Sequence, residues 1–396
     1  MGFCARIVLV ISVITAVFFG YRFYQPVPAA LINPNGARSV AFGFNTANLA
    51  ADVASTLGIS SWSATFRNVF HLMIRISDTL SSKPPRDKNV IVTNRVFDGV
   101  TVRMYDPPGG DANRPVVIYI HGGGWVLLTP AHYDPQMFRL VKELGALVVS
   151  IDYRLKKFPI PFEDCRRAAT FFLRNIHKFN VNPDKIAIAG DSAGGNLAAA
   201  IAQHLAQLNL PHKPKLQALI YPALQAFDLD SPSYQENLGI LLTRDSMIKF
   251  YLAHAGVSMK HVTAAGSNRH ISTAVKTSSK YAKYVSRSLL PARFNTNKIP
   301  FKVEGEDKNA VDELEKIVLD ARFSPLLADN LKGLPKTLMV TCEYDPLRDD
   351  GFMYVARLQD AGVSVKHVHL TDLIHGGIFY DPQIFQQVIA FLKQNL

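Results

Sequence analysis

In the stretch "KIAIAGDSAGGNLAAAIAQHLAQL", an apolar run of strand character stops at Gly190 and a Gly- and Ala-rich helical run starts at Ala193. Asp191 and Ser192 stand between the two. Gly190-Asp191-Ser192-Ala193-Gly194 fits Gly-x-Ser-x-Gly, a tight strand-to-helix turn that exposes a hydroxyl and needs small neighbours because Cβ atoms would collide there. A serine hydroxyl is a poor nucleophile at neutral pH. It needs a base, a group that orients the base, and N–H donors for the oxyanion that forms on an attacked acyl carbonyl. The sequence offers candidates for each. "VVIYIHGGGW" ends an apolar run in His121-Gly122-Gly123-Gly124, where bare backbone at Gly122, Gly123 and Gly124 can turn N–H groups toward a ligand. The N–H of Ala193 completes the expected oxyanion pocket, and His121 is read as setting the loop rather than acting as the base.

For the base and its partner, the order along such a chain is serine, acid, histidine, with the last two on loops after late strands. "TLMVTCEYDPLRDDG" puts Asp345 in the turn after one strand, and "VSVKHVHLTDLIHGG" puts His375 after the next. Successive strands thus deliver both groups to one sheet edge. His367 and His369 alternate within a strand and His71 sits in a helical pattern, which leaves His375 as the expected base. Asp349 and Asp350 read as cap residues of the next helix, Asp372 as a turn residue and Glu343 as a neighbour pointing elsewhere. The expected chemistry is acyl transfer: His375 takes the Ser192 proton during attack, Asp345 stabilises the imidazolium, and water releases the acid from an acyl-enzyme.

The elements around these residues follow one grammar from Asn89 onward: short apolar strands alternating with amphipathic helices, which implies a mostly parallel sheet covered on both faces. The strand candidates are "VTVRMY", "VVIYI", "ALVVSI", "KIAIAG", "LQALIY", "TLMVTC" and "VSVKHVHL". Over a hundred residues separate the fifth from the sixth, so an inserted helical cap is expected at about residues 225–320. Residues 25–88 read as a helical region that contributes to the cap, and residues 89–396 as the catalytic domain. Residues 7–21 are uncharged, flanked by Arg6 and Arg22 and crowded with aromatics at their far end, which suits an uncleaved signal-anchor over residues 1–24. The flanking charges favour a catalytic portion on the lumenal side only weakly, and no Asn-x-Ser/Thr sequon supports that side.

The chain has 396 residues and a formal net charge of +11. Residues 246–303 contain ten Lys or Arg and no Asp or Glu. The bland reading is a solvated surface excursion; the sharper one is a basic cap face held against anionic lipid. Nucleic acid is not an expected partner, because no binding motif or interleaved aromatics accompany the charge. Three cysteines, Cys4, Cys165 and Cys342, show no metal-ligand spacing. No metal or cofactor is expected; Cys165 and Cys342 are either a pair or two buried thiols.

"HGGGW", "GDSAGGNLA", "LIYPALQ", "DSPSYQEN", "FSPLLADNLKGLP", "CEYDPLRDDG" and "IHGG" together resemble the hormone-sensitive-lipase-like branch of the α/β-hydrolases. Within it they resemble most the arylacetamide deacetylase and neutral cholesterol ester hydrolase group. The resemblance implies an α/β-hydrolase fold with a mostly parallel central sheet, flanking helices, a helical cap and an N-terminal membrane anchor helix. It also implies Ser192 as nucleophile with Asp345 and His375, an oxyanion hole from the glycine loop and Ala193, and no metal. The implied setting is a type II protein of the endoplasmic reticulum membrane with a lumenal catalytic domain, acting on apolar ester or lipid substrates or aryl amides. One segment departs from the family pattern Tyr-Arg-Leu-Ala-Pro: here Tyr153-Arg154-Leu155-Lys156-Lys157-Phe158-Pro159 lacks the first proline. The alternative from another class is a non-catalytic small-molecule-binding protein on the same scaffold.

Overall fold

The computed structural model describes residues 20, 24, 26–80, 89–109, 111, 113–236, 240–295 and 305–396. The expected anchor over residues 1–24 lies outside them apart from Gly20 and Tyr24. No helix among the described residues is long and apolar enough to cross a membrane.

Eight strands form one sheet in the order β1-β2-β4-β3-β5-β6-β7-β8. They are β1 (Ile91–Phe97), β2 (Val100–Asp106), β3 (Val116–Ile120), β4 (Leu147–Ile151), β5 (Ile186–Asp191), β6 (Leu216–Ile220), β7 (Lys336–Tyr344) and β8 (Val365–Ile374). β1 and β2 pair antiparallel, as do β2 and β4; every other pairing is parallel. β3, β4, β5 and β6 are buried along their whole lengths, as continuous apolar runs demand when helices cover both faces. The edge strand β1 was not among the expected strands. Its sequence, IVTNRVF, leaves all but two positions exposed, so its hydrophobic signal is weak.

Among the residues from 26 onward that are described, two helices precede the sheet, α1 (Pro34–Thr56) and α2 (Trp62–Leu80), and they pack on each other as a hairpin. α3 (Asp134–Leu144), α4 (Ile160–Arg174) and α5 (Ala193–Gln207) connect β3 to β4, β4 to β5 and β5 to β6. Between β6 and β7 the chain leaves the sheet for a series of short helices, including α6 (Arg244–Ala255) and α7 (Lys308–Val318). α8 (Arg348–Asp360) joins β7 to β8, and α9 (Gln383–Asn395) closes the chain against α3. Cys165 and Cys342 are buried free thiols.

The basic stretch is tied down by acids from other segments. Lys249 pairs with Asp52, Lys260 with Glu313, Arg269 with Asp307, Lys280 with Asp329, Arg287 with Asp228 and Arg293 with Glu343. Lys298 and Lys302 lie outside the described residues.

Candidate active site

β5 runs straight into α5, and Ser192 makes the corner with φ 54° and ψ −121°. A non-glycine residue held there costs on the order of 1–3 kcal/mol, tolerated only where the surroundings enforce it. The enforcement comes from close packing. A Cβ on Gly194 would run into the carbonyl oxygens of Ile120 and His121, so α5 can approach β3 only with no side chain at that position. Ser192 N–H donates to the Ile220 carbonyl on the neighbouring strand at 2.8 Å, fixing the corner from the other side.

The structure brings the three distant groups together. His375 Nε2 lies 2.9 Å from Ser192 Oγ, and His375 Nδ1 lies 2.8 Å from Asp345 Oδ2. The Asp345 side chain is wholly buried, and its other oxygen accepts the Leu347 N–H at 2.8 Å. A carboxylate so fixed holds the Nδ1–H tautomer of the imidazole, which leaves Nε2 free to accept the serine proton. The Tyr221 ring backs the imidazole at 4.5 Å between centroids.

The competing acids and histidines are occupied elsewhere. Glu343 Oε2 lies 2.6 Å from His369 Nε2, and the Thr341 hydroxyl is shared by His367 and His369. Asp349 accepts from Ser233 N–H and pairs with Arg348; Asp350 accepts from Leu224 N–H and the Gln225 side-chain amide.

The glycine loop requires one correction. Gly122 was expected among the oxyanion donors, but its N–H lies 3.1 Å from both Asp191 Oδ1 and the Tyr133 hydroxyl. That N–H is engaged in holding the loop and is not available to a ligand. Gly123, Gly124 and Ala193 remain, and all three line the cavity beside Ser192. Gly123 has φ 105° and Gly124 has φ 59°. A Cβ on Gly123 would sit 2.5 Å from the Leu127 carbonyl oxygen, so only glycine allows this fold-back. Ala193 opens α5, where the first N–H groups have no partner within the helix.

Asp191, the x residue before the serine, is the post on which the loop is hung. Its oxygens accept from Tyr119 and Tyr133 hydroxyls at 2.9 Å each, in addition to Gly122. Burial pushes its carboxyl up to about 6, while those hydrogen bonds pull the other way. Sequence reasoning assigned no role to Asp191, Tyr119 or Tyr133; the tyrosines sit in an apolar strand and beside a proline, with no motif to mark them. His121 is fully buried and held neutral by burial, its pKa lowered to about 4. Its ring stacks on Tyr153 at 4.4 Å, and the Tyr153 hydroxyl donates to the His121 carbonyl at 2.9 Å. The departing segment after Tyr153 is fixed by Arg154, which makes two 2.8 Å hydrogen bonds to the buried Asp164.

A cavity of about 810 Å³ stands over Ser192 and His375. Its walls are predominantly apolar and come from α1 and α2 (Val40, Phe42, Phe70, Met73), from α6 (Met247, Phe250) and from Phe379 beyond β8. The α1–α2 contribution was not foreseen from the sequence beyond a general part in the cap. The helical pattern of "TFRNVFHLMIRI" marks a helix but not what it covers.

A family model described as the alpha/beta hydrolase fold matches residues 117–278 and 301–379. Neutral cholesterol ester hydrolase 1 of Bos taurus is 37% identical, with 95% of this chain and 96% of that protein covered. Arylacetamide deacetylase of Oryctolagus cuniculus is 35% identical, with 98% and 99% covered. Among solved structures, an esterase of Pyrobaculum calidifontis matches with a TM-score of 0.62 and 30% identity over 84% of this chain and 92% of that one. With a family model matching more than half of the chain and relatives covering nearly all of it, this protein belongs to the α/β-hydrolases, in the neutral cholesterol ester hydrolase and arylacetamide deacetylase group, and is a carboxylic ester hydrolase.

Proposed function

We propose that this chain hydrolyses carboxylic esters of apolar, membrane-partitioning substrates through an acyl-enzyme on Ser192. The observation that carries the reading is the continuous hydrogen-bonded line Asp345–His375–Ser192 at the floor of an apolar cavity. His375 Nε2 takes the hydroxyl proton as Oγ attacks the carbonyl carbon. The oxyanion is received by the N–H groups of Gly123, Gly124 and Ala193, each such donor contributing on the order of 3 kcal/mol to lowering the barrier. His375 then gives its proton to the leaving alcohol, and water activated by the same ring releases the acid. Aryl amides are admitted by the same geometry, since an amine leaves on the same proton.

The substrate class is supported by the cavity walls and by the relatives' names, one a cholesterol ester hydrolase and the other an arylacetamide deacetylase. The anchor over residues 1–24 would hold the enzyme in the endoplasmic reticulum membrane as a single-pass type II protein with its catalytic domain lumenal. Residues 25–88 and the insertion at about 225–320 would form the cap over the site. Six of the ten basic side chains of residues 246–303 pair with acids, so a basic cap face toward anionic lipid would draw on the remaining four.

The full chain in detergent or vesicles, assayed on p-nitrophenyl esters of graded acyl length, is expected to turn over and to react with a fluorophosphonate probe. Ser192→Ala is expected to abolish labelling and to cut kcat by about 10⁶-fold. Turnover by the alanine variant at a comparable rate would remove the acyl-enzyme mechanism. A folded protein that neither labels nor turns over any ester would favour the binding-protein reading.

A further inference from the structure

Eight of the eleven exposed large apolar side chains among the described residues lie between Tyr24 and Ile76; the other three are Ile91, Val96 and Phe379. On α1 and at its C-cap, Leu49, Val53 and Leu57 recur at intervals of four, and on α2 Leu72 and Ile76 do the same. That spacing stacks side chains on one face of a helix. Other positions of the same helices are buried: Phe44 of α1 and Trp62 and Phe66 of α2 all pack against Phe250. The exposed apolar positions of the two helices thus lie off the side chains that pack on Phe250. A concentration of this kind on one outward face marks an interaction surface.

Charge and chain geometry say what covers it. The hairpin carries Arg38, Arg67 and Arg75 against two acids, Asp52 and Asp78, and Asp52 is held by Lys249 and the Trp62 indole. An apolar face with a basic margin fits the interface of an anionic bilayer. The apolar stretch of residues 7–21 ends twelve residues before the α1 N-cap, Asn33, a reach of at most about 40 Å. The anchor proposed over residues 1–24 would keep the hairpin at the same membrane, and the choice of occupant rests on that reading. The face is also continuous with the active-site cavity. Ile76 belongs to the outer stripe and lines the cavity, and the exposed Phe379 lines it as well.

We propose that the outer face of the α1–α2 hairpin docks on an anionic phospholipid surface and that apolar esters pass from the lipid into the cavity past Ile76 and Phe379. The portal half of this proposal rests on the reading of Ser192 as the nucleophile; the docking half does not.

The test uses the full chain reconstituted in phosphatidylcholine–phosphatidylserine vesicles. A nitrobenzoxadiazole fluorophore is placed by Val53→Cys or Ile76→Cys in a Cys4→Ser background, with the exposed Lys332→Cys as control; Cys165 and Cys342 are buried. Blue-shifted emission at 53 and 76 that doxyl-labelled lipid quenches, with water-like emission at 332, is expected. Water-like emission at 53 and 76 overturns docking. An apolar signal there that labelled lipid does not reach overturns it too, and points to a second copy of the chain. For the portal, Val53→Asp with Leu57→Asp is expected to slow hydrolysis of a long-chain ester dissolved in the bilayer about tenfold while leaving p-nitrophenyl acetate unchanged. Equal rates on the bilayer ester for both proteins overturn the portal, and so does an equal loss on both esters. Quenching at 53 in a protein whose activity survives Ser192→Ala would keep docking and remove the catalytic reading.

Discussion

Asp345 has two contacts of consequence: the Leu347 N–H on one oxygen and the His375 ring on the other. On the proposed mechanism its task is to choose the tautomer of the imidazole. In Asp345→Asn, the carbonyl oxygen can still satisfy Leu347, but the amide NH₂ then faces Nδ1 and drives the ring proton to Nε2. A protonated Nε2 points its hydrogen at Ser192 Oγ and cannot accept the hydroxyl proton. We expect kcat to fall by about 10⁴-fold with the thermal midpoint little changed. A kcat within tenfold of the parent would mean that another group orients the ring. At this scale much of the site is legible in the sequence, because Ser192, Asp345 and His375 each follow an apolar run that discloses a strand end. The glycine loop is legible only in part. The run announces donors, but that the Gly122 N–H is already committed depends on Asp191 and Tyr133, which lie 69 and 11 residues away and meet it only in the fold.

At the scale of elements, the glycine loop is held from outside the sheet. Leu128, with φ 68°, donates its N–H to His71 Nε2 of α2 at 3.3 Å. The Phe250 ring of α6 sits so close to Gly124 that any Cβ there would collide with it. Phe250 is in turn packed by Phe44, Trp62 and Phe66, so the hairpin and the cap helix press on the loop through one ring. Phe250→Ala is expected to cost about 3–5 kcal/mol of stability through the cavity it leaves. Because the ring also buttresses Gly124, kcat on a short ester should fall more than KM rises, and Phe250→Leu should recover most of the stability. Thermal unfolding with steady-state kinetics checks both; a lowered midpoint with unchanged kcat would reduce Phe250 to a core residue. None of this coupling is legible in the sequence. His71 reads there as one more residue of a helical pattern, since a hydrogen bond to Leu128 has no periodicity to betray it. The buried strands are legible for the opposite reason: burial on both faces writes itself as an uninterrupted apolar run, whereas β1, exposed along most of its length, writes nothing distinctive.

At the scale of the whole molecule, one histidine joins the parts that must stay in register. His254 of α6 stacks between Trp125, which follows the glycine loop, at 4.3 Å and Phe323, where the chain returns toward the sheet, at 4.9 Å. Its backbone carbonyl accepts the Phe158 N–H at 2.7 Å, adding the segment between β4 and α4 to the same knot. Neither ring nitrogen finds a hydrogen-bond partner among the described residues, and burial lowers its pKa to about 3. The sign of the consequence follows from linkage. In the unfolded chain the ring takes up a proton as pH falls through about 6.5, while in the native protein it stays neutral until about 3. Its contribution to stability is therefore whole above pH 6.5 and declines steadily as pH drops toward 3. Other buried groups titrate in the same window with either sign, Asp191 among them, so the isolating measurement is a difference. His254→Phe keeps a flat ring between Trp125 and Phe323 and removes the titrating nitrogens. The stability of this variant relative to the parent is expected to grow by about 2 kcal/mol between pH 7 and pH 5, about 1.4 kcal/mol for each pH unit below 6.5. Chemical denaturation at the two pH values reads that difference directly. Parallel pH profiles for the two proteins would mean that the native fold accommodates a charged imidazole at this junction, and that the cap and the sheet are less tightly clamped there than the stacked rings require.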